Sequence, residues 1–178
     1  MPDRTHLIRM GLCAGLALGA TLATPAIAVP ALSTSSAQSQ HAARHADMAV
    51  EHVDSLPARA GGQTMVRALV SNRGTVRAPA FTLTVTLPKG ATVDGATFPA
   101  RCAVDPTRRK VACPFPAGLG GGGRTAVALV PVRIAADIPP ATHLGGGFAT
   151  VSSNLGDVSR TDNRMAFTLL VSAAGASL

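Results

Sequence analysis

The chain has no tryptophan and no tyrosine, and its aromatic content of 3% is phenylalanine alone. Exposed indole and phenol rings are common platforms for sugars, and stacking rings interleaved with charge are what single-stranded nucleic acids require; both binding classes are demoted. Charged residues make up 14% of the chain, against roughly 25% in an average soluble protein. That excludes a coiled coil and a charged helical bundle, and leaves solubility to Thr, Ser, Asn and backbone. Acid is the scarcer sign, with 9 Asp and Glu against 16 Lys and Arg, for a net charge of +7. Cysteine is confined to Cys13, Cys102 and Cys113, none at the two-residue spacing of zinc and redox motifs.

What is present fits an exported chain. At 178 residues and 47% hydrophobic, it is long enough for one domain, two at most, and can bury a core. Arg4, His6 and Arg9 precede the apolar run Gly11 to Ala23, and Thr24-Pro25-Ala26-Ile27-Ala28 places small residues at a cleavage site, so residues 1–28 read as a secretory signal peptide. The run is too short for a membrane anchor, which needs roughly 20 apolar residues, and no second run follows. Cys13 leaves with the leader. Residues 29–46, Ser- and Gln-rich around Ser33 to Gln40, read as a disordered linker, and 173–178 as a disordered tail. His41 and His45 lie four apart, a spacing that would share a metal on a helix, but a solvated linker is the better reading. The strong excess of Arg over Lys, beside abundant Ala and Gly, points to a bacterium with a GC-rich genome.

From Asp47 the hydrophobic period is two. Phe81, Leu83, Val85 and Leu87 alternate with Thr82, Thr84 and Thr86, the signature of a strand with one buried and one wet face. Similar alternation at Val66, Ala68, Val70, at Val130, Val132, Ile134 and at Phe167, Leu169, Val171, broken by Gly, Pro and Asn punctuation, predicts an all-β, immunoglobulin-like antiparallel sandwich with Greek-key connections over 47–172. Strands are expected near 48–53, 64–71, 80–87, 100–104, 110–113, 124–135, 147–153 and 165–172. Pro131 removes a ladder donor, which places the sixth strand at an edge or at a bulge.

Cys102 and Cys113 flank a segment whose Asp105-Pro106 opens a turn. A hairpin folded about Thr107 and Arg108 sets Cys102 opposite Cys113 and Val104 opposite Val111, with Cα atoms about 4.5 Å apart at a non-hydrogen-bonded pair, within disulfide range. Export supplies the oxidising surroundings. A catalytic or metal-binding thiol pair is the weaker alternative.

The order of these features resembles the DUF11 conserved-repeat family of bacterial immunoglobulin-like surface domains. The pieces are Asp47-Met48-Ala49-Val50, Ala60-Gly61-Gly62-Gln63, Val70-Ser71-Asn72-Arg73-Gly74, Leu87-Pro88-Lys89-Gly90-Ala91-Thr92-Val93, the Cys102 to Cys113 segment, Ala149 to Ser153, Asp157, and Asp162-Asn163-Arg164. The resemblance implies an extracellular module without catalysis or cofactor; a single copy with no anchor favours a small secreted protein, retained on the cell wall only by non-covalent contact. Asn72 and Gly74 are expected to form a tight turn.

Candidate sites are few. Arg101, Arg108, Arg109 and Lys110 cluster at the hairpin as a polyanion-binding patch, suited to anionic cell-wall polymers, with nucleic acid disfavoured by the missing aromatics. Asp157, Asp162 and Asn163 offer oxygens that calcium accepts, though turn capping uses the same residue types. Gly118 to Gly123 lacks the Lys-Ser/Thr ending of a phosphate loop and reads as a flexible inter-strand connection. His52 and His143 belong to no motif, leaving a loop-assembled hydrolase as a remote reading. The leading expectation is a structural or protein-interaction module; its partner is not encoded in any motif.

Overall fold

The computed structural model describes residues 44–154 and 159–173. The leader, the linker up to residue 43 with His41, Asp157 and the tail from Ala174 lie outside the described residues. Those described form nine strands and no helix: β1 (Met48–Ser55), β2 (Gln63–Asn72), β3 (Phe81–Thr86), β4 (Ala91–Val93), β5 (Ala103–Val104), β6 (Lys110–Phe115), β7 (Arg124–Ile134), β8 (His143–Ser153) and β9 (Arg164–Leu170). They make an antiparallel sandwich, a four-stranded sheet β1-β2-β7-β4 facing a five-stranded sheet β5-β6-β3-β8-β9. This is the two-layer order of an immunoglobulin-like domain.

The core is the product of alternation. Val66, Ala68 and Val70 of β2, Ala128, Val130 and Val132 of β7, and Leu83 and Val85 of β3 are fully buried between the sheets. Phe81 stacks on Phe115 at 4.9 Å between ring centroids. Burying each such valine, leucine or phenylalanine contributes about 1.5–3 kcal/mol, which is what holds two sheets without a helix.

Three sequence expectations need correcting. β7 is an interior strand, not an edge, and carries no bulge at Pro131, which pairs with Met65 of β2. The Pro131 carbonyl accepts from Asp94 just beyond the last residue of β4, so the missing amide falls where that ladder has already ended. β4 was concealed by its length of three residues. Neither Asn72 nor Gly74 takes a positive φ. Asn72 is instead wholly buried: its Oδ1 accepts from the amides of Asp47 and Gly74, and its Nδ2 donates to the carbonyls of Val76 and Leu119. Gly74 is glycine because a Cβ there would overlap the His45 carbonyl, which accepts from the Thr75 and Val76 amides. Arg44 to Ala46, at the end of the sequence-read linker, thus lie against the domain.

Both lateral seams of the sandwich are stitched. On one side Val50 N–H donates to Asp162 O, Ala58 N–H to Leu170 O and Ser172 N–H to Ala58 O, joining β1 and its continuation to β9. On the other, Val93 N–H donates to Arg108 O and Leu87 N–H to Arg109 O, joining β3 and β4 to the β5–β6 hairpin.

Candidate interaction surface

The hairpin register is the expected one: Ala103 opposes Ala112 and Val104 opposes Val111, and Cys102 is bonded to Cys113 with Cα atoms 4.1 Å apart. Asp105 organises the turn. Its carboxylate accepts from the Arg109 and Lys110 amides and from Thr107 Oγ1, and the Thr107 hydroxyl is the main cause of its lowered pKa. Arg108 sits at φ 54°, a left-handed conformation costing a non-glycine residue roughly 1–2 kcal/mol.

The four basic residues at the hairpin differ in their contacts and exposure. Arg108 Nε donates to Val93 O at 2.8 Å, across the lateral seam, and Arg109 Nη2 to Leu87 O at 2.9 Å, at the end of the β3–β6 ladder. Arg101, Arg108 and Lys110 are exposed, as is Val104, and Arg109 is half-buried. Arg109 also borders an open, largely apolar cleft of about 390 Å³ with Gly90, Thr92, Arg133 and Ile134.

At the Asn72 end, the calcium candidates meet a cation. Arg73 forks onto Glu51 with two bonds of 2.8 Å and reaches Asp162 Oδ2 at 3.0 Å. Asp162 Oδ1 is buried without a hydrogen-bond partner; Asn163 follows it, and Asp157 is outside the described residues. A β-bulge after Val50 turns Glu51 toward Ser71, whose hydroxyl donates to it. The Arg73 hydrogen bonds, aided by Ser71, hold the Glu51 carboxyl down to about 2. The glycine loop is tied down rather than flexible: Gly118, Gly122 and Gly123 donate their amides to Ala78, Gly74 and Asn72 carbonyls. His143 opens β8 in an exposed position. His52 Nε2 lies 3.2 Å from Asp54, a carboxylate shared with Arg67.

The surface that sequence reading passed over is the outer face of the four-stranded sheet. Opposite the core, β2 presents Met65 and Leu69, and β7 presents Val127, Leu129 and Pro131, in register as Met65 with Pro131 and Leu69 with Val127. Phe98 joins them by reciprocal backbone bonds with Leu129. Met65 is 44% and Phe98 55% exposed, the other four are half-buried, and none belongs to the core. The strip is interrupted on β2 by Arg67, which stands between Met65 and Leu69 and opposite Leu129, and ion pairs lie on either side of β7. Arg67 binds Asp54 at 2.7 Å on the β1 side, and Arg133 binds Asp94 at 2.6 Å on the β4 side. Gln63 bonds the same Asp94, and it and Arg133 lower the carboxyl's pKa. The signal was in the sequence: Ala126-Val127-Ala128-Leu129-Val130-Pro131-Val132 is continuously apolar, the pattern of a strand apolar on both faces.

No protein-family model and no curated protein matches the chain. Among solved structures it is similar to the major pilin subunit of Bacillus cereus, with 10% identity, a TM-score of 0.49, and coverage of 68% of this chain and 40% of the pilin. It is also similar to the sixth cohesin of scaffoldin B from Acetivibrio cellulolyticus, solved with a dockerin, with 13% identity, a TM-score of 0.37, and coverage of 72% of this chain and 94% of the cohesin. This chain therefore spans well under half of the pilin. Likenesses this distant carry no information on the chemistry of its surfaces.

Proposed function

We propose that the protein is a secreted bacterial interaction module of the DUF11 kind, an immunoglobulin-like sandwich that works by presenting a face to another protein and not by catalysis. The observation that supports this most is the apolar strip Met65, Leu69, Val127, Leu129, Pro131 and Phe98 on a sheet whose inner face already supplies the core. A surface needed only for solubility would alternate to polar residues there, and apolar residues running along β7 and gathered about one neutralised arginine, Arg67, mark a contact site. Affinity capture from culture fluid and envelope tests the reading. A partner retained by the unmodified chain and by Thr84→Lys, but lost with Met65→Arg, is the expected result; capture indifferent to Met65 overturns it.

A second reading, association with anionic wall polymers, is favoured by the exposure of Arg101 and Lys110 and by the chain's positive balance. Its test is extraction of intact cells. Release rising steeply with ionic strength supports it, and release indifferent to salt removes it.

A further inference from the structure

We infer that the apolar outer face of the four-stranded sheet pairs with the same face of a second copy of this chain, giving a closed, reversible dimer. The inference rests on the interaction reading above and names its partner. Charge is the first reason. In a chain of net charge +7, the two arginines on this face are neutralised within it, Arg67 by Asp54 and Arg133 by Asp94. An acidic partner finds no unmatched cation there and a basic partner no unmatched anion, whereas an identical face brings the same apolar residues, the same paired Arg67 among them and the same mixed-charge margins. Copies approaching through the other broad face would bring Lys110 and Arg164 toward each other.

Size and shape agree. With strands about 4.8 Å apart and rising about 3.4 Å per residue, the face from β1 to β4 covers roughly 500 Å² a side, or about 1,000 Å² in a pair, the lower bound of a specific interface. Sheets pack face to face at about 10 Å by interdigitating such rows. A face that matches itself closes with two-fold symmetry and stops at two chains. The β1–β9 edge is already bonded across to the facing sheet, and the exposed edge strand β5 is only two residues long, too short for strand addition to compete.

The test uses the chain as purified from its producing cells. Sedimentation equilibrium, followed by refractive index because tryptophan and tyrosine are lacking, is expected to show the mass rising from one chain to two across about 1 to 500 μM, as a small interface implies. Leu129→Arg should weaken the dimer at least about tenfold with the melting temperature held; Met65→Arg, at a more exposed position, should do the same, and Thr84→Arg should change nothing. A single-chain mass throughout, or a dimer untouched by both face variants, overturns the proposal. A photo-crosslinking residue at position 129, used in the producing cells, separates this failure from that of the broader reading. A two-chain product supports the dimer. A product with a different protein overturns self-pairing while keeping the interaction reading, and a link to residues 29–43 of the same chain overturns both.

Discussion

The two broad faces of the sandwich differ in kind. On the five-stranded sheet, Thr82, Thr84 and Thr86 stand beside Thr150, Ser152, Ala112 and Pro114, and Arg164 lies over the Phe148 ring at 3.8 Å from its centroid. On the four-stranded sheet the middle of the equivalent rows holds Met65, Leu69, Val127, Leu129 and Pro131 about a single charged residue, Arg67, with Gln63 and Arg133 at one end. The inner faces of both are alike in aliphatic content and burial. The fold therefore requires one apolar face per sheet, and the second apolar face on β2 and β7 is surplus to it.

The largest effect that separates inner from outer positions should come from truncating one leucine on each. Leu83→Ala, wholly buried in β3, should cost about 2–5 kcal/mol, whereas Leu129→Ala, outward on β7, should cost less than about 1 kcal/mol in the monomer; chemical denaturation measures both, and similar losses would erase the distinction. Next, replacing both Cys102 and Cys113 by serine should remove about 3 kcal/mol, loosening the seam at the β5–β6 hairpin while leaving the β1–β9 seam intact. Hydrogen exchange should show protection lost first at Leu87 and Val93, and uniform loss would show the seams to be coupled.

A smaller effect is expected in acid at the margin of the four-stranded sheet. Glu51 is held at about 2 instead of its ordinary 4.5, chiefly by Arg73. The unfolded chain therefore binds the proton more readily, so the stabilisation is complete above about pH 4.5 and fades as pH falls toward about 2. The pair is open to solvent, and roughly 1 kcal/mol should be at stake. Glu51→Gln should flatten that part of the pH–stability curve, and an unchanged slope would place the acid sensitivity elsewhere. Smallest of all, Thr84→Leu should leave stability within about 0.5 kcal/mol yet raise binding of an apolar dye by the threonine face, and the unmodified chain is expected to bind the dye through the opposite face.

How much of this was legible in the sequence depended on whether the signal was local. Strict alternation over Phe81 to Leu87 located β3 and its buried side, and the spacing around Asp105-Pro106 gave the hairpin register and the disulfide. β4 was missed because three residues cannot display a period. Pro131 was misplaced because its neighbour across the ladder, Asp94, is 37 residues away and carries no mark of where β4 ends. The separate contacts within the basic cluster were not legible, because adjacency in sequence says nothing of which carbonyl each guanidinium will meet; Arg108 and Arg109 bond Val93 and Leu87. The outer apolar face was readable from Ala126 to Val132, where the period of two disappears, but a search for buried residues accepts such a run without asking what the surplus is for.

Asn72 makes the two ends of the molecule unequal in their freedom to diverge. One amide side chain keys the approach to β1, the β2–β3 connection and the β6–β7 connection at once, so an insertion in any of these must preserve the geometry of the others. At the opposite end the turns at 56–62, 88–90 and 135–142 answer to no shared residue of that kind. Variation in loop length should be easier there, where a change in one turn disturbs pairwise contacts such as Ala135 N–H to Gly90 O and Arg133 to Gly61 O but no side chain shared by all three.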